Sequence, residues 1–220
     1  MYGVRLRVFG DYACFTRPEM KAERVSYDVP TPSALRGILE SLHWKPAIQW
    51  RIDAVHVMKP IRFESIRRNE LGNKTPVSSV TGAMKKGSAL QTFIEDDRQQ
   101  RAGLILKDVE YCVEAHFVLT DKAGSDDSPG KHLDIFNRRL RKGQVWQRPC
   151  LGCREFPAHL GYLEAIPPSP LSSCADGDRD LGWMLYDIDY TQDCSPMFFR
   201  ASLHKGVMSV PPPDSAEVRR

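Results

Sequence analysis

Three side chains in this sequence combine the chemistry of proton transfer with that of anion stabilisation: His43, Lys45 and His116. An imidazole changes charge near neutral pH, so it can take a proton from a ribose 2′-OH or return one to a departing 5′-oxygen. A lysine ammonium offsets the charge that builds on a phosphorane. A base, an acid and a cation of these types are what metal-free RNA cleavage requires. A lone strand histidine is more often structural than catalytic, so both roles stay open for His116. Geometry adds a constraint, because His43 belongs to a helix packed on one side of a sheet while His116 points to the other. The two are expected to meet only at a sheet edge.

Other reactive residue types form no comparable set. Cys150 and Cys153 lie in RPCLGCREF, but structural zinc takes four ligands, and Cys174, Cys194, His159 and His204 are too dispersed to complete them. No metal and no cofactor is expected. The pair does not sit between a strand and a helix as a thioredoxin-like site would, and no Walker loop, GxSxG elbow, HExxH or Rossmann fingerprint occurs. Six cysteines scattered over 220 residues suit reduced thiols.

Basic residues supply the candidate nucleic-acid contacts. Arg5, Arg7 and Phe9 share one face of an N-terminal strand, a combination that either holds RNA by stacking and phosphate contact or is an ordinary solvated face. Arg17, Lys21 and Arg24 follow in a loop, Arg36 on a helix, and Arg67, Arg68, Lys85 and Lys86 in a polar excursion. Between Lys131 and Arg154 seven Lys/Arg, Arg138 and Arg139 among them, face one acid, while Glu164 to Asp193 carries seven acids and only Arg179. A local field steers phosphate even at a formal net charge of +3. Lys85-Lys86 and the cluster from Arg138 to Lys142 also suit duplex DNA, which would show as steep salt dependence.

The elements that must place these residues are legible from periodicity. Tyr2, Val4, Leu6 and Val8 alternate with Arg5, Arg7 and Phe9 in a strand with one buried face. In TPSALRGILESLHWK, residues 31 to 45, Thr31 is the expected N-cap, Pro32 suits the first turn, and Leu35, Ile38, Leu39 and Leu42 make one apolar face ending beside His43. Ile48 to Val57 and Ile61 to Ile66 read as strands, residues 67 to 103 as a projecting hairpin, and 104 to 106 and 109 to 119 as further strands. DKAGSDDSPGK is the expected domain boundary, dividing 1–120 from 121–220, and a second helix spans His132 to Arg141. The order β-α-β-β-β-α approximates a ferredoxin-like sheet with an inserted hairpin, an α+β fold. No apolar run reaches the roughly 18 residues of a membrane span, and Met1 leads straight into a strand, so a cytoplasmic protein without membrane contact is expected.

Residues 9 to 48, IRFESIRRNE (61 to 70), YCVEAHF (111 to 117) and RPCLGCREFPA (148 to 158) resemble the CRISPR-associated family-five proteins of subtype I-C, the Dvulg or "d" subtype. The resemblance implies a ferredoxin-like (RRM-like) N-terminal domain with a β-hairpin and a small C-terminal antiparallel β-sheet domain. It also implies a metal-independent endoribonuclease that cuts precursor CRISPR RNA within its repeat hairpin, leaves a 2′,3′-cyclic phosphate, and stays on the 5′ handle. Its expected partners are the repeat RNA and the backbone and large subunits of the type I-C surveillance complex. The family's catalytic set is a tyrosine near the end of the first helix and a Lys-His pair on a later strand. His116 matches the histidine, His43 stands at the tyrosine position, and Ala115 replaces the lysine, leaving Lys45 or Arg36 to supply a cation. A non-catalytic, handle-binding subunit with accessory duplex DNA binding is the alternative.

Overall fold

The computed structural model describes residues 3–190 and 193–220. Tyr2, the first residue of the expected N-terminal strand, lies outside them. In β1 (Gly3–Ala13) the period-two pattern buries Val4, Leu6 and Val8 and turns Arg5 outward. In α1 (Pro32–Leu42) the Thr31 hydroxyl accepts the Ala34 N–H at 3.2 Å, satisfying one of the free donors of the first turn. The helix stops three residues before Lys45 because His43 is extended, with φ −152° and ψ 116°. Arg139 donates to the freed Leu42 carbonyl at 2.7 Å, which closes that end.

β2 (Ile48–Val57) falls where alternation put it, and β3 (Phe63–Leu71) begins and ends later than expected. The two strands expected at 104–106 and 109–119 are one continuous β4 (Arg98–Leu119). Asp108, at φ 52°, takes up the local irregularity in the left-handed region that Asp tolerates, so the strand continues instead of breaking. Its first half pairs with β3, from Leu71↔Arg98 to Phe63↔Leu106, and its second half lies between β1 and β2. Between β3 and β4, α2 (Val77–Lys86) has no buried residue, so the excursion is a two-stranded arm carrying a helix. The base of the arm is held by the 14–30 loop, where Ser26 donates to the Leu104 carbonyl at 2.9 Å and Leu104 to the Arg24 carbonyl at 2.8 Å.

In α3 (Pro129–Lys142) Ser128 is the N-cap, Gly143 closes the end at φ 63°, and His132, Phe136 and Leu140 are buried. β5 (His159–Tyr162) pairs with β1, and β8 (Val207–Ser209) with β2, giving the antiparallel order β5-β1-β4-β2-β8. β6 (Arg179–Asp189) and β7 (Ser195–Leu203) form a separate antiparallel pair. α1 and α3 cover one face of the main sheet. Leu35, Ile38, Leu39 and Leu42 of α1 join Phe136, Val55 and Phe117 in one core, which also takes in Met184 and Phe199 of the β6–β7 pair. Trp50 sits among them with its ring 4.8 Å from Phe136 and 5.2 Å from Phe117. Each large apolar side chain buried in this way stabilises the fold by about 1.5–3 kcal/mol. Arg36 ties β6 to α1 through two bonds to Asp187, at 2.9 and 2.8 Å, and one to Glu40 at 2.8 Å. No helix among the described residues is long and apolar enough to cross a membrane.

Candidate active site

The face of the sheet away from the helices carries Arg5, Arg7, Glu110, Cys112, Glu114 and His116, with Gln49, Arg51, Asp53 and His56 from β2. Successive strand residues point to opposite faces, so Phe117 sends its ring into the core while His116 emerges on the other side. His116 pairs across the ladder with Gly3 on one side and Arg51 on the other. Gly3 has no side chain to lay over the imidazole. Ring atom Nδ1 of His116 donates to Asp53, 2.8 Å from Oδ1 and 2.9 Å from Oδ2. Asp53 reaches it because β2 bulges here. Ile52 pairs with Ala115 and Ala54 with Glu114, so Asp53 is the extra residue. Among the described residues Nε2 of His116 has no hydrogen-bond partner, and Arg51 bonds Gln49 Oε1 at 3.2 Å and forms no ion pair.

The rest of this face is charge-compensated. Arg7 grips Glu110 with both ends of its guanidinium, at 2.7 and 2.9 Å, and Lys59 bonds Asp108. Glu114 bonds His56 at 2.8 Å and lies 4.0 Å from Arg5. The Phe9 ring is already engaged, by His159 at 5.3 Å and by the Arg7 guanidinium at 4.3 Å.

His43 and Lys45 are elsewhere. His43 is 2% exposed and His132 0%, and His43 Nε2 lies 3.0 Å from His132 Nδ1 on the helix side of the sheet. The His132 ring also meets the edge of Phe117, the core-facing neighbour of His116. His43 and His116 therefore lie on opposite faces, which corrects the expectation that they share a site. The expected meeting at an edge fails because His43 is the residue that ends α1 and is drawn under α3. Burial holds the His43 imidazole well below its ordinary value, at about 4, with His132, Arg139 and Lys45 adding repulsion. Burial lowers His132 too, despite Asp127. Asp127 Oδ1 stands 3.2 Å from His132 Nε2 without forming a hydrogen bond, and 3.9 Å from the exposed Lys45. Both rings are neutral near pH 7, a buried pair rather than an exposed catalyst.

The candidate RNA contacts divide into free and committed residues. Lys21, Arg67, Lys85, Lys86 and Arg138 are exposed, and Arg5, also exposed, donates to the Glu164 carbonyl at 3.2 Å. Arg7 is held by Glu110, Arg36 by Asp187 and Glu40, and Arg139 by the end of α1. Arg17 lies 3.5 Å from Asp28 and over the Tyr27 ring, Arg24 pairs with Glu70 at 3.2 Å, and Arg68 pairs with Glu155. Cys150 and Cys153 turn apart. Cys153 Sγ lies 3.6 Å from the Cys14 carbonyl, and Cys150 Sγ 3.9 Å from the Gly152 carbonyl.

Sequence reasoning missed Asp53 and Arg51. Both alternate with Ile48, Trp50 and Ile52, so their common face was readable, but the bulge that aims Asp53 at His116 leaves no mark in the residue pattern. It also missed His132 as the partner of His43. There the signal existed, since His132, Phe136 and Leu140 recur at helical spacing on the buried stripe.

Residues 3–211 match a family described as CRISPR-associated protein (Cas_Cas5). The chain is 59% identical over 221 residues to a Mannheimia succiniciproducens protein named CRISPR pre-crRNA endoribonuclease Cas5d, covering 99% of this chain and 98% of that one. It is 39% identical over 241 residues to a Thermus thermophilus protein of the same name, covering 100% and 96%. A solved structure described as that of a CRISPR-associated protein superposes with a TM-score of 0.72 at 24% identity, covering 100% of this chain and 97% of that chain, which places the fold.

Proposed function

The chain belongs to the Cas5d family of CRISPR-associated proteins, and from that membership we propose that it is an endoribonuclease that cuts precursor CRISPR RNA within the repeat hairpin. The cut needs no metal, and the protein stays on the 5′ handle with the backbone and large subunits of the surveillance complex. What carries this reading is the 59% identity along 99% of the chain to a protein named for that activity. The same reading takes β1, β2 and β4 with α1 and α3 as a ferredoxin-like unit with an inserted arm, and β6–β7 as the small C-terminal sheet.

In the reaction the 2′-oxygen attacks the adjacent phosphorus, its proton leaves to a base, and the bond from phosphorus to the 5′-oxygen breaks as that oxygen gains a proton. The products are a 2′,3′-cyclic phosphate and a 5′-hydroxyl. His116 fits one of the two proton transfers through Nε2, which has no hydrogen-bond partner among the described residues. Arg51, its neighbour across the ladder, is the cation that meets the phosphorane charge, in place of the lysine that Ala115 replaces.

The test uses the protein's own repeat RNA in EDTA. His116→Ala is expected to slow cleavage by about 10²–10⁴-fold while leaving the gel-shift affinity within a few-fold. Cutting at the wild-type rate removes His116 from the chemistry. A wild-type protein that shifts the RNA without cutting it is the handle-binding subunit instead.

A further inference from the structure

We propose that Asp53 is a positioning residue for this cleavage: its carboxylate holds the His116 ring in the tautomer and orientation that present Nε2 to the RNA. The inference rests on the reading of His116 as the proton-transfer residue. Three features of the site carry it.

The first is the contact itself. Both oxygens of Asp53 lie within hydrogen-bond distance of one ring nitrogen, at 2.8 and 2.9 Å. A carboxylate only accepts, so Nδ1 carries the proton and Nε2 keeps its lone pair. In that form the ring takes a proton at Nε2 and, once it has done so, can return one from the same atom.

The second is the backbone that delivers the carboxylate. Asp53 is the extra residue of the β2 bulge, and its own carbonyl accepts the Val210 N–H at 2.9 Å. Regular pairing would place a residue at this point of β2 in step with β4. The bulge adds one and re-aims it, and the bond from Val210 fixes the result, so the carboxylate is carried by the sheet rather than by a mobile loop. An ion pair formed only for stability would gain little here, because the Asp53 side chain is 42% exposed.

The third is what surrounds the free end of the ring. Gly3 stands across from His116 on β1 and Arg51 on β2, so the β1 partner adds no side chain over the ring and the β2 partner is a cation. Of the other imidazoles of this face, His56 is bound through its Nε2 to Glu114 at 2.8 Å and His159 stacks on Phe9. His116 is the one held from behind.

The experiment combines single-turnover cleavage in EDTA, RNA affinity and ¹⁵N NMR of the imidazole for wild type, Asp53→Asn, His116→Ala and the double variant. An amide can donate to Nδ1 and hold the opposite tautomer; in serine proteases that exchange lowers turnover by about 10⁴-fold. With a carboxylate open to water the expected fall for Asp53→Asn is about 10²–10³-fold, with affinity within about threefold. Wild-type spectra should show His116 protonated at Nδ1 when neutral, and Asp53→Asn should lose that signature. The double variant should be no slower than His116→Ala, since Asp53 acts through His116. Three results overturn the inference: wild-type cleavage by Asp53→Asn beside an inactive His116→Ala, losses that multiply in the double variant, or a wild-type ring protonated at Nε2. The spectrum needs only the unaltered protein, so it decides even if a variant does not fold. Wild-type cleavage by His116→Ala overturns the proposed function and this inference with it.

Discussion

Replacing His43 by leucine tests whether the buried histidine pair belongs to stability or to chemistry. Burial, His132, Arg139 and Lys45 hold the folded-state value of His43 at about 4, against 6.5 ordinarily. Between these values the unfolded chain binds a proton that the folded chain refuses, so stability rises with pH through this window. The contribution is complete above about pH 6.5 and is lost as pH falls towards about 4. A difference of about 2.5 units corresponds to about 3 kcal/mol in total, of which about 2 kcal/mol goes between about pH 7 and pH 5. His132 is shifted in the same direction and steepens the loss. Asp108, Asp127, Asp178 and Asp180 are lowered from 3.8, so their losses fall at more acid pH and stay out of the window. The assay is urea unfolding at a series of pH values for wild type and His43→Leu. At neutral pH the variant should lose about 1–3 kcal/mol, because His132 Nδ1 is left unpaired. Below that its curve should be flatter, by up to about 1.4 kcal/mol per pH unit where one proton is fully in play. A variant with the wild-type pH slope would refute the assignment of a buried neutral ring. The folded variant should also cleave repeat RNA within a few-fold of wild type, and a hundredfold loss with intact binding would return His43 to the reaction.

Arg36→Ala should lower stability by about 2 kcal/mol, read by chemical denaturation. Breaking a buried pair costs about 3–5 kcal/mol, and the 26% exposure of this guanidinium reduces that. RNA affinity should stay within twofold, since Asp187 and Glu40 already hold the group. Lys85→Glu with Lys86→Glu should make the plot of log affinity against log salt shallower by about 1.4 on single-stranded repeat RNA, if both lysines meet phosphates. A slope unchanged in filter binding over a potassium chloride series takes α2 out of the interface.

How far the sequence could be read depended on whether a feature rests on local pattern or on distant pairing. The alternation of β1 and the cap at Thr31 with the apolar face that follows it are local, and they predict these elements closely. Residues 107–108 look like a break because Lys107-Asp108 interrupts two apolar runs, yet β4 continues because β1 pairs across it, from Ala13↔Leu106 through Tyr12↔Lys107 to Gly10↔Val109. The fates of the basic residues were not readable. Arg36 and Arg139 look like any exposed helix cations, and only the approach of β6 and of the end of α1 reveals them as ties within the fold. His43 misled for the same reason: its place at the end of α1 was right, and α3, about ninety positions later, is what buries it.

The ion pairs on the open face decide how much of it a phosphate chain can use. A phosphate drawn to Arg7 must compete with two short bonds from Glu110, and a won contact leaves that half-buried carboxylate facing the incoming anion. The same holds at Lys59, which is shared between Asp108 and Glu110. The end of the sheet at Gly3, Arg51 and His116 differs. Asp53 is occupied by the His116 imidazole, and Arg51 has no carboxylate partner among the described residues. On the proposed reading, the ion pairs compete with a phosphate along the rest of the face, whereas Arg51, bonded only to the neutral Gln49 amide, offers its charge at this end. With His116 as the proposed proton-transfer residue, the acids that occupy the other cations of this face would help to localise the scissile phosphate there.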